Sequence, residues 1–300
     1  MPTRIVITGA AGHVGCAVLD TLWDSSAETV ALVRTPRPLR ASRIIVGSLF
    51  ADLAQQAMRS ADVVIHLAGV CRPERAETYY GSNVASAAAV AEASRDSNVK
   101  RIIILSVLGA DECSSNEYLK TKARAEHVLL AVKIPTVVFR SSHIIGDPRN
   151  PGMFAETLLS RDGEPVKVLG HGRQMVAPVF LGDVARAITR AVESKGTGTY
   201  ELSGPDAMSM DDLARLLNGS DLPLQHLPAR LAMYLPRVSP MSSGWVEVVT
   251  NSCVGNPSRA IKEFGLAFHS LRSIWNDRRE GASAKAGIHS GTCEPLFADV

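Results

Sequence analysis

A chain of 300 residues with 46% hydrophobic but only 5% aromatic content is long enough for one large layered α/β domain, or one such domain with a small appendage. Its net charge of +2 argues against nucleic acid or a membrane surface as the main partner, and no apolar stretch approaches the length of a membrane span. Five cysteines without C-x-x-C and eight histidines without H-E-x-x-H predict single thiols in a reducing cytoplasm and no metal centre.

The chain enters a strand at once, Ile5-Val6-Ile7, which leaves no room for a signal peptide. Gly9, Gly12 and Gly15 follow at a spacing of three, and Val14, Ala17, Val18 and Leu22 then recur at helical spacing. Thr29 to Val33 reads as a second buried strand, and a Pro-Arg-rich loop, Arg34 to Arg40, separates it from Ile44-Ile45-Val46. A helix over Asp52 to Arg59 leads to a fourth strand, Asp62 to Leu67, which ends in Ala68-Gly69. An alanine-rich helix over about Ala76 to Ser97, a strand Arg101 to Ser106, a helix Tyr118 to Leu130 and a strand Thr136 to Arg140 complete the regular part. Continuous apolar strands alternating with helices predict a parallel sheet covered on both faces, a doubly wound Rossmann arrangement with right-handed crossovers.

From Gly146 the alternation loosens, with Pro148, Pro151, Gly163, Pro165, Gly170 and Gly172 breaking the pattern into short pieces. Residues 1–150 are therefore read as the nucleotide-binding domain and 151–280 as a small C-terminal substrate lobe. The amphipathic Asp183 to Val192 and a last strand, Thr199 to Leu202, place about 181–202 back on the first domain. Ser209-x-x-Asp212 reads as a capping box opening a short helix that stops at Gly219. Residues 281–300, rich in small and polar types, read as a tail.

Two stretches carry chemistry. In the first, T-G-A-A-G-H-V-G over Thr8 to Gly15, glycine serves where the chain turns sharply, where backbone must approach a pyrophosphate, and where helix meets strand. The helix N-terminus beyond it offers free N–H groups and partial positive charge to phosphates, a dinucleotide site. An NAD site normally has a carboxylate ending the second strand, roughly 20 residues past the glycines. Here Leu32-Val33-Arg34 supplies none, and Arg34, with Arg37 nearby, suits a 2′-phosphate, so NADP(H) is expected as the preferred cofactor and NAD(H) as the alternative. A plain solvated loop is the competing account of these arginines.

The second stretch is Ser114 to Glu126, where Tyr118 and Lys122 stand four apart and so share a helix face. A cation beside a phenol favours the phenolate, as a tyrosine acid/base near neutral pH requires. Ser106 closes the preceding strand, where its hydroxyl could bond a substrate oxygen. The competing reading is an ordinary surface Tyr–Lys pair.

Together these residues resemble the short-chain dehydrogenase/reductase superfamily, in its extended or atypical branch. T-G-A-A-G-H-V-G matches T-G-x-x-G-x-x-G, His66-Leu67-Ala68-Gly69 matches the motif closing the fourth strand, and Asn83-Val84 matches the asparagine-valine of the next helix. Ser106, Tyr118 and Lys122 match the catalytic serine and Y-x-x-x-K, and Leu181 to Ala185 looks like V-x-D-V-A, so that the likeness covers about residues 3–270. By this resemblance Tyr118 is the general acid/base, Ser106 orients the carbonyl or hydroxyl, and Lys122 holds the nicotinamide ribose and keeps the phenol pKa low. Gly9, Gly12, His13, Val14 and Gly15 with Leu67, Ala68 and Gly69 would line the cofactor. Asn83 is either a support for a proton-relay water or a helix-to-strand tie, and His13 reads as a tolerated turn residue.

Two departures shape the expected substrate. Sugar-nucleotide epimerases usually show R-x-x-N-x-x-G-P, whereas this chain has Arg140-Ser-Ser-His143-Ile-Ile-Gly146-Asp147. They also show G-x-G-x-Q-x-R-D-F, whereas Val176, Ala177 and Pro178 stand where R-D-F would be. The resemblance therefore implies an NAD(P)-dependent oxidoreductase moving a hydride between nicotinamide and a ketone or secondary alcohol of a non-nucleotide small molecule. An epimerase or dehydratase is the first alternative, and a non-catalytic NAD(P)-binding sensor or assembly protein the second. Gly152-Met153-Phe154 and Leu231 to Val238 are expected to supply apolar walls, while Arg140, Arg149 and Arg173 remain available as a diphosphate clamp. The expected partner is a small carbonyl or alcohol substrate, with no nucleic acid and no membrane; a homodimer is compatible with the sequence.

Overall fold

The computed structural model describes residues 2–73, 78–160, 163–219, 221–230 and 243–275. Strand β1 (Arg4–Thr8) lies inside a seven-stranded sheet with β2 (Glu28–Val33), β3 (Arg43–Val46), β4 (Val63–His66), β5 (Arg101–Val107), β6 (Thr136–Ser141) and a late strand, Gly198–Leu202, in the order β3-β2-β1-β4-β5-β6 and then the late strand. Every pairing in this sheet is parallel, and β1 has β2 on one side and β4 on the other. The order reverses at β1, so the C-terminal ends of β1 and β4 open a crevice, the usual ligand position in such sheets.

Alternation along β1 shows why the strands are apolar throughout. Ile5 and Ile7 face helix α1 (His13–Leu22), meeting Val18 and Leu19, together with Val184 and Ile188 of a later helix. Val6 points to the opposite layer, where α2 (Asp52–Arg59) contributes Met58 and α3 (Ser86–Ser94) contributes Val90. Both faces are buried, so neither carries a polar row. Helix α4 (Glu117–Leu130) covers the same layer through Ala125 and Leu129. The alanine-rich stretch is not one α-helix: Tyr80–Ala85 forms a π-helical segment that runs straight into α3, and its expected first residues lie outside the described ones.

After β6 the chain forms the lobe from short pieces. These are β7 (Ile144–Ile145), α5 (Met153–Glu156), β8 (Val166–Leu169), β9 (Met175–Val176) and β10 (Val179–Phe180). Helix α6 (Leu181–Glu193) then packs on α1, and β11 (Gly198–Leu202), the late strand named above, pairs with β6, so this segment returns to the sheet. Strand β12 (Met208–Ser209), α7 (Met210–Asn218), β13 (Leu224–Leu227), α8 (Ser243–Thr250) and α9 (Ser258–Phe264) follow. Ser209 caps α7 by accepting from the Asp212 N–H at 3.1 Å, and the helix stops at Gly219 with φ +96°. The lobe core joins Phe154, Val166, Val168, Leu213 and Trp245 to Tyr118 of α4, so the sheet domain and the lobe share one apolar cluster at that tyrosine. Among the described residues no helix is long and apolar enough to cross a membrane.

Candidate active site

The glycine turn is a backbone construction. Gly9 adopts φ +66°, its carbonyl accepts from the Gly12 N–H at 3.0 Å, and α1 starts at His13 with no side chain capping its N-terminus. The first amides of the helix therefore stay available to an anion. A Cβ on Gly9 would sit 2.6 Å from the Ala68 nitrogen, because the loop after β4 crosses directly against the turn. A Cβ on Gly15 would run into the carbonyls of Gly9 and Ala10. Thr8 fastens the same crossing: its hydroxyl oxygen accepts from the Ala68 N–H at 3.2 Å and pairs with His66 Nδ1 at 2.8 Å. Burial pushes the His66 pKa down to about 3, so its imidazole is neutral. The main-chain turn and the uncapped start of α1 fit a dinucleotide pyrophosphate.

Gly69 lies next in the groove, where a Cβ would stand 2.8 Å from Asn83 Oδ1 and 3.8 Å from Lys122 Nζ. Asn83 accepts from the Val70 N–H at 3.0 Å and donates to the Val70 carbonyl at 3.3 Å and Thr121 Oγ1 at 3.1 Å. Its amide thus ties the loop after β4 to α4. Lys122 donates to the Leu105 carbonyl at 2.8 Å, and burial lowers its pKa to about 8 against the opposing pull of Glu126.

Tyr118 stands one turn earlier on α4. Asn116 caps this helix, accepting from the N–H groups of Tyr118 at 3.0 Å and Leu119 at 3.3 Å, while its amide donates to the Gly244 carbonyl at 2.9 Å. The cap therefore fixes both the start of α4 and its contact with α8. The Tyr118 ring meets Tyr79 at 5.7 Å and the edge of Trp245 at 6.3 Å. Burial drives its phenol pKa well above the ordinary value, with Cys71, Tyr79 and Cys253 acting in the same direction. This burial acts against the lowering of the phenol pKa that the sequence leads one to expect from Lys122.

Ser106 is engaged within the fold. Alternation along β5 places it on the face of Ile102 and Ile104, the face that packs against α4. There its hydroxyl donates to the buried Glu126 carboxylate, which also accepts from Arg140 Nη2 at 2.7 Å and Nε at 3.1 Å. That proton is engaged inside the fold, while Val107 and Leu108, the next two residues, pack against the cluster containing Tyr118. Arg140 is likewise committed to Glu126 rather than left as a diphosphate clamp. Arg149 lies on an exposed loop 3.9 Å from Asp147.

His13 is more than a tolerated turn residue. Its Nε2 lies 3.1 Å from the Asn150 carbonyl, and its ring fills the space where side chains on Gly146 or Gly152 would go. It therefore bridges the glycine turn and the first lobe segment, while Val14 beside it packs on the sheet core. Arg34 is exposed just past the end of β2, and Arg37 donates to the Ala11 carbonyl of the turn at 3.0 Å.

The apolar walls gather around Tyr118. Met153 Sδ approaches Cys71 Sγ at 3.9 Å, and Phe154 stands edge-on to Trp245 at 6.4 Å. Val176 and Ala177 are buried, and the Ala177 carbonyl accepts from Ser142 at 2.6 Å and Ser203 at 3.1 Å, so this run packs the lobe. Leu231 to Val238 lies outside the described residues. Asn116 had a readable signal, an N-cap residue directly before Glu117-Tyr118. Glu126 also did, four residues past Lys122 on a strand-facing helix. Tyr79, Cys71 and Trp245 had none, because distant segments bring them together.

Known proteins show the same arrangement at the level of fold. UDP-glucuronic acid 4-epimerase from Bacillus cereus in complex with NAD superposes with a TM-score of 0.72 at 17% identity, covering 93% of this chain and 99% of that one. Among curated relatives, an NADH dehydrogenase [ubiquinone] 1 alpha subcomplex subunit 9 of Arabidopsis thaliana mitochondria is 30% identical over 174 residues, 55% of this chain and 42% of the relative. A ceramide reductase of Caulobacter vibrioides is 28% identical over 208 residues, 66% of this chain and 64% of the relative. The chain thus spans less than two thirds of the length of these two curated relatives. The profile of the NAD dependent epimerase/dehydratase family matches residues 5–202, from β1 through β11. The chain belongs to that family.

Proposed function

We propose that this protein is an NADP(H)-dependent reductase of a lipophilic ketone that carries no nucleotide diphosphate. The observation that carries the reading is the neutral, buried phenol of Tyr118, enclosed by Tyr79, Trp245 and Cys71 and one helical turn from Lys122 at the cofactor groove. A phenol held in its protonated form is ready to give a proton to a carbonyl oxygen, and apolar walls keep water from competing. When bound, the nicotinamide supplies the hydride. Gly9, Gly12, Gly15 and the open start of α1 would take the pyrophosphate, Leu67 to Gly69 would line the groove, and Lys122 would hold the ribose. Arg34 and Arg37 would meet a 2′-phosphate, for want of any carboxylate after β2. The ceramide reductase relative supports a lipophilic substrate.

A non-catalytic NAD(P)-binding subunit is the second reading. It is favoured by the engagement of the Ser106 proton with Glu126 and by the likeness to a mitochondrial NADH dehydrogenase subunit. One assay separates the readings. A reductase oxidises NADPH stoichiometrically when given long-chain methyl ketones. An epimerase interconverts UDP-sugars with no net cofactor use, and a binding subunit does neither. Titrating NADPH and NADH by fluorescence tests the cofactor preference, and tighter NADH binding would overturn it.

A further inference from the structure

His13 is the residue through which the glycine turn touches the lobe. It is the first residue of α1, so its main-chain N–H belongs to the uncapped helix start. Its side chain leaves the turn and crosses to the segment after β7. The Asn150 carbonyl, 3.1 Å from Nε2, can only accept, so Nε2 carries the ring hydrogen. Burial lowers the pKa of the imidazole, against the opposing pull of the Asn150 carbonyl, Glu156 and Asp147. The segment is shaped to receive the ring. Gly152 adopts φ +85°, and a Cβ there would run into His13 Cε1, while one on Gly146 would stand 3.1 Å from Nε2.

This segment is closed on itself and has little slack. The Gly146 N–H donates to the Pro151 carbonyl at 2.9 Å and the Asn150 N–H to the Asp147 carbonyl at 3.0 Å. From the far side the buried Trp275 indole donates to the Gly146 carbonyl at 3.1 Å. Gly152 then opens α5, whose first two residues are Met153 and Phe154. Phe154 lies in the apolar cluster that contains Tyr118, and Met153 packs against it. One residue thus presents its main chain to the cofactor turn and its side chain to the root of the wall beside Tyr118.

We propose that His13 is a positioning residue that couples cofactor occupancy of the glycine turn to the placement of the 146–154 segment, and so to the wall formed by Met153 and Phe154. An anion bonded at the start of α1 fixes the His13 main chain, and the ring then loses less freedom on meeting Asn150. The coupling is reciprocal, so a segment held against the ring favours the cofactor in return. The proposal rests on the placing of the dinucleotide at the glycine turn and on no particular ketone.

The test is amide hydrogen exchange of the full chain with and without saturating NADPH. It is read at Gly146, Asn150 and Glu156, whose N–H groups close the segment and the first turn of α5. In the parent, NADPH should slow exchange there by about fivefold or more, the lower end of ordinary coupling between sites. His13→Ala keeps the main-chain N–H and should bind NADPH without that slowing. His13→Gln, which keeps a donor for the Asn150 carbonyl, should restore part of it. The proposal is overturned if NADPH binds to the parent without slowing these amides, or if His13→Ala slows them as the parent does. Loss of protection throughout the cofactor-free chain in both variants overturns it too, since the ring would then hold the fold rather than the coupling. A parent that binds no NADPH, by fluorescence titration, overturns the placing of the cofactor and this proposal with it.

Discussion

The two halves of the proposed site are built differently. The cofactor half is main chain: Gly9, Gly15 and Gly69 each lie where a Cβ would press on neighbouring backbone or on Asn83, and the pieces come from the turns after β1 and β4. The half around Tyr118, proposed to take the substrate, is side chain: Tyr79, Tyr118, Phe154, His143 and Trp245 arrive from five separate segments and meet as rings. A backbone cradle is specified locally and tolerates almost no change. A side-chain pocket can be repacked for a new substrate while the cradle beside it stays the same, which accounts for one family acting on different molecules.

The largest effect should follow from adding one methyl to the cradle. Gly15→Ala places its Cβ against two backbone carbonyls that cannot rotate aside, so α1 must shift off β1. Loss of about 4 kcal/mol or more of stability is expected, together with NADPH binding, as measured by chemical denaturation and fluorescence titration. A variant with parent stability would show that the cradle is softer than its geometry implies.

Acid should expose a dependence on buried neutral imidazoles in both halves, His66 beneath the cradle and His143 in the ring cluster. His66 and His143 have folded pKa values lowered to about 3 and about 4, against an ordinary 6.5. Between these values the unfolded chain binds protons that the folded chain refuses, so stability falls as pH drops through this window. By pH 4 His143 alone should account for roughly 3 kcal/mol of the loss. Denaturation midpoints measured from about pH 7 to about pH 4 should fall less steeply for His143→Phe than for the parent. Equal slopes would mean that His143 does take up a proton in the fold.

A smaller effect is expected where the halves join. Glu126 receives Ser106 and Arg140 together, beneath α4 and the end of β5. Glu126→Gln should lower stability by roughly 2 kcal/mol, less than for a fully buried pair because Arg140 is part-exposed. NADPH affinity should change little. A stability unchanged by the substitution would mean that solvent satisfies Arg140 as well as the carboxylate does.

The same contrast governs what was legible in the amino-acid sequence. The order of strands and helices, the return of the chain at α6 and β11, and the glycine turn all rest on local patterns: apolar runs, positive-φ glycines and a capping serine at Ser209. The bond of Ser106 to Glu126 was partly legible, since alternation with Ile102 and Ile104 already turns it toward α4. The burial that raises the Tyr118 phenol pKa was not legible, because Lys122 is one turn away in sequence whereas Trp245 and Cys253, which contribute to that environment, are more than a hundred residues away. The π-helical Tyr80–Ala85 carries no periodic signature distinct from an α-helix over so short a span.

The central claim is that the buried phenol of Tyr118 delivers the proton in a net reduction. Single-turnover oxidation of bound NADPH by a long-chain methyl ketone, compared between the parent and Tyr118→Phe, tests it most directly. The predicted result is a rate lower by about a hundredfold to ten-thousandfold in the variant, with NADPH affinity unchanged. Equal rates in the two proteins would contradict the claim.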